Sequence, residues 1–255
     1  MRETAYAKVN LALHLRAREA DGYHRIETLF AFCEDGDIVS AGPADELSLA
    51  VTGRFAASLA DEHDNLMLRA ARALGITAAL TLDKRLPVAA GLGGGSADAA
   101  AVLRLLGNTG EAARIAPSLG ADVPACLLSC TARGTGRGDE IVPVEIEGLS
   151  GTPILLVNPG LALSTAAVFA GWDGCDRGPL GPWEAGRNDL APAAISLVPQ
   201  IAEVLAALGD ARIARLSGSG ATCFGIYAGT TARDAAAARI QAAHPAWWVC
   251  QTRLK

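Results

Sequence analysis

Near the N-terminus the apolar residues Val9, Leu11, Leu13 and Leu15 alternate with Lys8, Asn10 and His14. This is the two-residue period of a half-buried strand, and it points Lys8 and Asn10 to the same side. Apolar runs predict further strands over 26–32, 47–51 and 76–82, while the helical spacing over 65–74 ends at Gly75. A helix over 97–106 is stopped by Gly107, and Asp122 followed by Val123 and Pro124 has the form of another helix start.

Past residue 150 the pattern restarts. Strand signals over 154–157, 212–216, 222–227 and 247–251 are interleaved with helical segments over 165–170, 190–208 and 232–243. The order βαββαβ is that of ferredoxin-like folds. It predicts two domains, 1–150 and 151–255, meeting at 148–152. No internal repeat is present, and the alanine-rich stretches read as helices.

A chain of 255 residues that is 51% hydrophobic can bury a substantial core. With 22 Lys and Arg against 27 Asp and Glu, the net charge of -5 argues against a broad polyanion-binding surface, so nucleic acid is not the expected partner. The six cysteines contain no CxxC pair and the histidines have no ligand spacing, so no structural metal is expected and the thiols read as cytosolic. After Met1, the charged residues Arg2, Glu3 and Lys8 interrupt any signal-like apolar run, and no later stretch reaches membrane-spanning length. A cytoplasmic protein with small-molecule partners, monomeric or weakly dimeric and without membrane contact, is the expectation.

The candidate chemistry starts at Pro87, Val88, Ala89, Ala90, Gly91, Leu92, Gly93, Gly94, Gly95, Ser96 and Ala97, between a strand pattern and a helix pattern. Unpaired amides at a helix start favour an anion, and glycines let the backbone approach a phosphate closely. The spacing is not a Walker A loop, because no Lys follows the last glycine. Nor is it the dinucleotide fingerprint, because Ser96 stands where its last glycine would fall. A second glycine loop, Ser217, Gly218, Ser219 and Gly220, lies between two strand patterns of the other domain, and two such loops can close on one phosphate-bearing ligand at a domain interface. Asp122 has the position of a helix cap and Lys8 that of a strand lysine, yet a kinase acting on an alcohol uses both a carboxylate to accept a proton and a cation to stabilise charge. Asp21 and Gly22 form a turn before Tyr23 and His24, two planar side chains able to read a nucleobase.

Five segments in sequence (7–11, 20–24, 91–96, 120–124 and 217–222) resemble the motifs of the GHMP kinases. The triple glycine before Ser96, with 21–24 and 120–124, narrows the resemblance to the branch whose alcohol carries a cytidine diphosphate. A sibling kinase acting on another small alcohol and a catalytically silent nucleotide-binding protein remain open alternatives. The resemblance implies an α+β two-domain GHMP kinase fold, with an N-terminal α/β domain built on a mixed sheet and a C-terminal ferredoxin-like βαββαβ domain. It implies transfer of the ATP gamma phosphate, with Mg2+ accompanying the nucleotide. It gives Asp122 the role of base and Lys8 that of the neighbouring cation, and it wraps 87–97 around the phosphates. It places Asn10 against the sugar alcohol. Tyr23 and His24 are placed on the cytosine, with Phe169, four residues after Thr165, closing the other side of the ring. The second glycine loop faces the substrate, and Asn65 and Lys84 lie near the adenine. Val88, Ala89 and Ala90 replace the smaller residues usual ahead of the loop and should stiffen it. The Gly/Pro/Trp-rich stretch 171–187 matches nothing in the family pattern.

Overall fold

The opening alternation belongs to the longest pairing in the molecule, in which β1 (Arg2–Arg18) runs antiparallel to β2 (His24–Gly42). The computed structural model of the chain describes residues 1–59 and 64–255. Among these, β3 (Ser48–Thr52), β4 (Ala79–Asp83), β5 (Ala132–Thr135) and β6 (Glu140–Pro143) extend the first sheet in the order β3-β4-β2-β5-β6, with β1 on β2. The β3/β4 pair is parallel and the rest antiparallel, so the sheet is mixed, as the resemblance implied. One layer of helices covers it: α1 (Leu66–Ala73), α2 (Gly94–Leu106), α3 (Thr109–Leu119) and α4 (Val123–Leu128). Phe30, Phe32, Leu80 and Leu82 from the sheet meet Met67, Val102 and Leu103 from the helices in a sealed core. The sequence patterns did not predict α3. Its signal was the local pair Asn108 and Glu111, whose backbone N–H is capped by Asn108 Oδ1 at 3.0 Å.

The second sheet contains β7 (Pro153–Asn158), β8 (Ile213–Leu216), β9 (Cys223–Ile226) and β10 (Trp248–Arg253), all antiparallel in the order β10-β7-β9-β8. With α5 (Thr165–Ala170), α6 (Ala191–Leu197), α7 (Gln200–Ala207) and α8 (Thr230–Ala243), this is the ferredoxin-like arrangement. The helix expected over 190–208 is two helices. Pro199 forces the residue before it out of the α region, and Val198 sits at φ -134°, ψ 87°. No described helix is long and apolar enough to cross a membrane.

β1 is not the half-buried strand that alternation suggests. Every residue from Ala7 to Leu15 is buried, because both faces are covered. Toward the helices it presents Lys8. Ala7, Val9 and Leu11 pack with Leu156, Phe224 and Ile226 of the second sheet, so the two halves share one apolar interface. Full burial of a side chain such as Phe224 contributes roughly 1.5–3 kcal/mol.

The stretch 171–187, unassigned from sequence, straps the second half to β1. Leu13 N–H donates to Arg187 O at 2.8 Å, and Asp189 N–H donates to Leu13 O at 2.9 Å. His14, 2% exposed, accepts at Nε2 from the Arg187 N–H at 3.2 Å and donates from Nδ1 to Gly178 O at 3.2 Å. Those two bonds require neutral imidazole. Burial, and then the Arg187 charge, push its pKa below the ordinary 6.5. The folded protein therefore binds fewer protons than the unfolded chain just below pH 6.5, and stability is lost as pH falls through that region. His24 is shifted in the same direction by burial and Arg18. The thermal midpoint should thus drop between pH 7.5 and 5.5, and His14→Gln should flatten the drop while lowering the midpoint at pH 7.5. An unchanged pH slope in the variant would assign the proton elsewhere.

Candidate active site

Lys8 is 4% exposed, and a buried ammonium is tolerated only when partnered. Its Nζ lies 3.1 Å from Asp122 Oδ1, donates to Asn10 Oδ1 at 3.2 Å, and stands 4.7 Å from the centre of the Phe30 ring. A hydrogen-bond chain fixes the Asn10 amide. Asn10 Nδ2 donates to Thr28 Oγ1 at 2.8 Å, and that hydroxyl donates to Ala12 O at 2.7 Å, which leaves Asn10 Oδ1 for the lysine. Asp122 holds the cap position of α4, but its side chain makes no capping bond there. The carboxylate is turned to Lys8 instead, and its side chain is 41% exposed, so it has one partner inside and one side open.

The first glycine loop is tied back by its carbonyls. Lys8 N–H donates to Leu92 O at 2.9 Å, Thr222 N–H to Ala90 O at 3.1 Å, and Ser217 Oγ to Gly91 O at 2.8 Å. Gly93, at φ 62°, is the cap of α2, which begins at Gly94, three residues before the predicted start. Ser96 is therefore inside the first turn rather than capping it. The amides of Gly94, Gly95 and Ser96 have no intrahelical acceptor, whereas Ala97 N–H already donates to Gly93 O at 2.8 Å. Three free amides at a helix N-terminus form an anion cradle. Lys8 lies beside it, since a Cβ added at Gly93 would meet Lys8 Cε at 2.9 Å. Ala89 takes φ 52° in this loop, a left-handed conformation that costs an alanine about 1–2 kcal/mol.

The second loop docks on the first. A Cβ on Gly91 would fall 2.3 Å from Ser217 O and 2.9 Å from Gly220 N, and one on Gly218 would fall 3.2 Å from Asn10 Oδ1. Ser219 Oγ is 2.9 Å from Thr165 Oγ1 at the start of α5. One turn further on, Phe169 meets His24 with ring centroids 5.2 Å apart, and Trp172 meets the same imidazole edge-on at 5.6 Å. His24 Nε2 accepts from Arg18 Nε at 3.1 Å, so the neutral ring carries its proton on Nδ1. Tyr23 is 59% exposed, with the Arg137 guanidinium 4.1 Å over its ring. Arg137 is held in turn by Glu19 and Asp21.

The GHMP kinases N terminal domain matches residues 65–130, and the GHMP kinases C terminal domain matches 176–249. The 4-diphosphocytidyl-2-C-methyl-D-erythritol kinase of Rhizorhabdus wittichii is 53% identical, the match covering 99% of this chain and 94% of that protein. The enzyme of the same name from Sphingopyxis alaskensis is 47% identical, covering 100% of this chain and 99% of its own length. A crystal structure of 4-(cytidine 5'-diphospho)-2C-methyl-D-erythritol kinase superposes with a TM-score of 0.83 at 32% identity, covering 99% of both chains. The chain belongs to the 4-diphosphocytidyl-2-C-methyl-D-erythritol kinase family of GHMP kinases.

Within this kinase fold most of the sequence-predicted positions meet. Lys8, Asn10, Asp122, the loop 87–97 and Ser217 to Gly220 surround one site, with Thr165 joined to its rim. Three positions have partners of their own. Lys84, expected beside the adenine, is buried with its ammonium held by Asp37 at 2.5 Å and Asp98 at 2.8 Å, below the loop. Asn65 caps α1, its Oδ1 accepting from Met67 N–H at 2.9 Å. Phe169 touches His24, which leaves no room for a base between those two rings.

Other residues of the site carried no motif. Asn188 Nδ2 donates to Leu216 O at 2.8 Å and Gly218 O at 2.7 Å, which sets the second loop, yet it follows the unassigned strap. Arg18 and Trp172 fix His24, and Arg137 covers Tyr23. Only their three-dimensional placement reveals them. Gly91→Ala should lower stability in denaturant titrations by about 2–4 kcal/mol, combining a left-handed alanine with overpacking against Ser217 O. Gly75→Ala, at φ 68° with nothing within 4 Å of its Cβ, should carry only the conformational part, about 1 kcal/mol.

Proposed function

We propose that the chain is an ATP-dependent kinase that transfers the gamma phosphate to the 2-hydroxyl of 4-diphosphocytidyl-2-C-methyl-D-erythritol, a step of the non-mevalonate route to isoprenoid precursors. The observation that carries this reading is the contact between Lys8 and a half-exposed Asp122 beside the free amides of α2. Phosphoryl transfer needs little covalent chemistry from a protein, but it needs positioning and compensation of charge. In this reading the α2 amides hold the phosphates, Asp122 accepts the hydroxyl proton, and Lys8 orients that carboxylate and stabilises charge on the transferring group. Asn10 faces the sugar alcohol with its amide orientation fixed.

The cytosine is assigned to the outer end of the same cleft. With Nε2 of His24 engaged by Arg18, the Nδ1–H is the group available to donate to a pyrimidine acceptor. Phe169 would then lie across the base from Tyr23, with His24 reading its edge. Division into 1–150 and 151–255 puts the reacting groups in the first domain and the Ser217 to Gly220 loop with Phe169 in the second.

Among the described residues there is no group of three or more His, Cys, Asp or Glu side chains able to hold a metal. Mg2+ would arrive on the nucleotide phosphates, since it typically keeps several waters and few protein ligands. When bound it would offset charge on the phosphate oxygens.

Incubation with ATP, Mg2+ and a panel of alcohols should release ADP only with the cytidyl-diphosphate substrate. Asp122→Ala and Lys8→Ala should each lower kcat at least about 100-fold with little change in nucleotide affinity. Near-normal turnover by Asp122→Ala would remove it as the base. Tyr23→Ala and Phe169→Ala should instead raise KM for the cytidyl substrate and leave KM for ATP nearly unchanged, and equal effects on both would remove the base slot.

A further inference from the structure

Beneath the phosphate loop lies a cluster of charges with no role in the reaction as described above. Lys84, Asp37 and Asp98 are 2%, 0% and 3% exposed, and the ammonium lies 2.5 Å from Asp37 Oδ2 and 2.8 Å from Asp98 Oδ2. The two carboxylates are not equally satisfied. Asp37 Oδ1 also accepts from Arg85 N–H at 2.6 Å and Leu86 N–H at 2.8 Å, whereas Asp98 Oδ1 is buried with no partner. A buried carboxylate oxygen without a protein donor disfavours the ionised form, and two carboxylates around one ammonium leave an uncompensated negative charge. A proton on Asp98 would remove that charge and give the orphan oxygen a hydrogen to donate. Burial raises the pKa of Asp98 to about 7; Lys84 opposes the shift and Asp37 adds to it.

Only main chain separates this cluster from the loop. A Cβ on Gly94 would lie 3.0 Å from Lys84 Nζ and 3.7 Å from Asp37 Oδ2, and Asp98 itself is one turn along α2 from the free amides. The Cys126 thiol of α4 lies near Asp98 and also near Lys8, Asp122 and Arg104, whose own ion pairs are Lys8 with Asp122 and Arg104 with Glu3. The charged residues of α1 and α3, Arg69, Arg72, Glu111 and Arg114, are not buried. Among the described residues Lys84 is the one cation in ion-pair contact with Asp37 and Asp98.

We infer that Asp98 is a positioning residue that takes up a proton from solvent when a triphosphate docks on the α2 amides, so that nucleotide binding is coupled to protonation beneath the loop. This rests on the phosphate-loop reading of the proposed function. The phosphates bring negative charge to the turn above Asp98 and raise the free energy of its ionised form, and by reciprocity the proton strengthens nucleotide binding.

The test is calorimetric titration of wild type and Asp98→Asn with a non-hydrolysable ATP analogue and Mg2+ at pH 7.5, in two buffers of different ionisation heat. Protons exchanged by the nucleotide itself cancel in the comparison. Wild type should take up about half a proton more per nucleotide than the variant, and its affinity should fall more steeply between about pH 7 and 8.5. Equal proton uptake would overturn the inference. If Asp98→Asn does not fold, wild type with 13C-labelled aspartate carboxyls supplies the same decision. One resonance titrating near neutrality should move to higher pH on addition of the analogue, and no such resonance, or one that does not move, overturns the coupling. Failure of wild type to bind the analogue at all would instead overturn the phosphate-loop reading, and the coupling with it.

Discussion

Gly91 meets the Ser217 to Gly220 loop backbone against backbone, and the geometry of the site depends on that contact. Ser217 O would lie 2.3 Å from a Cβ at Gly91, so the approach exists only because Gly91 has no side chain. Through it the carbonyls of Ala90 and Gly91 find donors in Thr222 and Ser217 from the other half of the molecule, while Leu92 O is satisfied by β1. With those acceptors engaged, the loop is held with the first turn of α2 open. The same approach sets Gly218 against Asn10, so the loop that joins the halves also bounds the space in front of Lys8.

Two buried lysines flank this loop, and their partners suit them to different work. Lys8 has one carboxylate, Asp122, whose side chain is 41% exposed, so the pair faces a space that a ligand can enter. Lys84 has two carboxylates, both sealed, and burial is outweighed by them so that its pKa lies above the ordinary value. An ion pair enclosed in this way stabilises little but fixes geometry once its hydrogen bonds are made. Here it joins the exit of β4 to α2 and β2, directly below the anion cradle.

Local chemistry made much of this legible. Gly75 and Gly107 stopped helices where expected, the βαββαβ order appeared in the spacing alone, and the segments 7–11, 91–96, 120–124 and 217–222 meet in direct contacts. What stayed hidden depended on contacts distant in sequence. The alternation in β1 implied one wet face, because no single-strand pattern announces that a second sheet will cover the other side. The resemblance placed Lys84 near the adenine, and no motif announces that Asp37, 47 residues earlier, engages its ammonium. Asn188 and Arg137 act on loops 30 and more than 100 residues away, through bonds that no motif encodes. The break at Val198 was the exception, since the rule for a residue before proline was present in the sequence and helical periodicity overrode it.

The two ends of the cleft differ in how firmly they are built, and the difference follows the chemistry assigned to each. At the reacting end Lys8, Asn10 and Thr28 are all buried and linked in one hydrogen-bond chain, so small displacements are resisted by several contacts at once. Transfer of a phosphoryl group is sensitive to displacement on that scale. At the base end Tyr23 is exposed, and the pairs that position its Arg137 partner lie at the surface, where solvent and salt screen them. A nucleobase is recognised by stacking and one or two edge contacts, which tolerate adjustment on binding. His24, clamped by Arg18, Phe169 and Trp172, is the rigid element of that end, and in the proposed reading discrimination among bases falls to its edge while the aromatic rings contribute area.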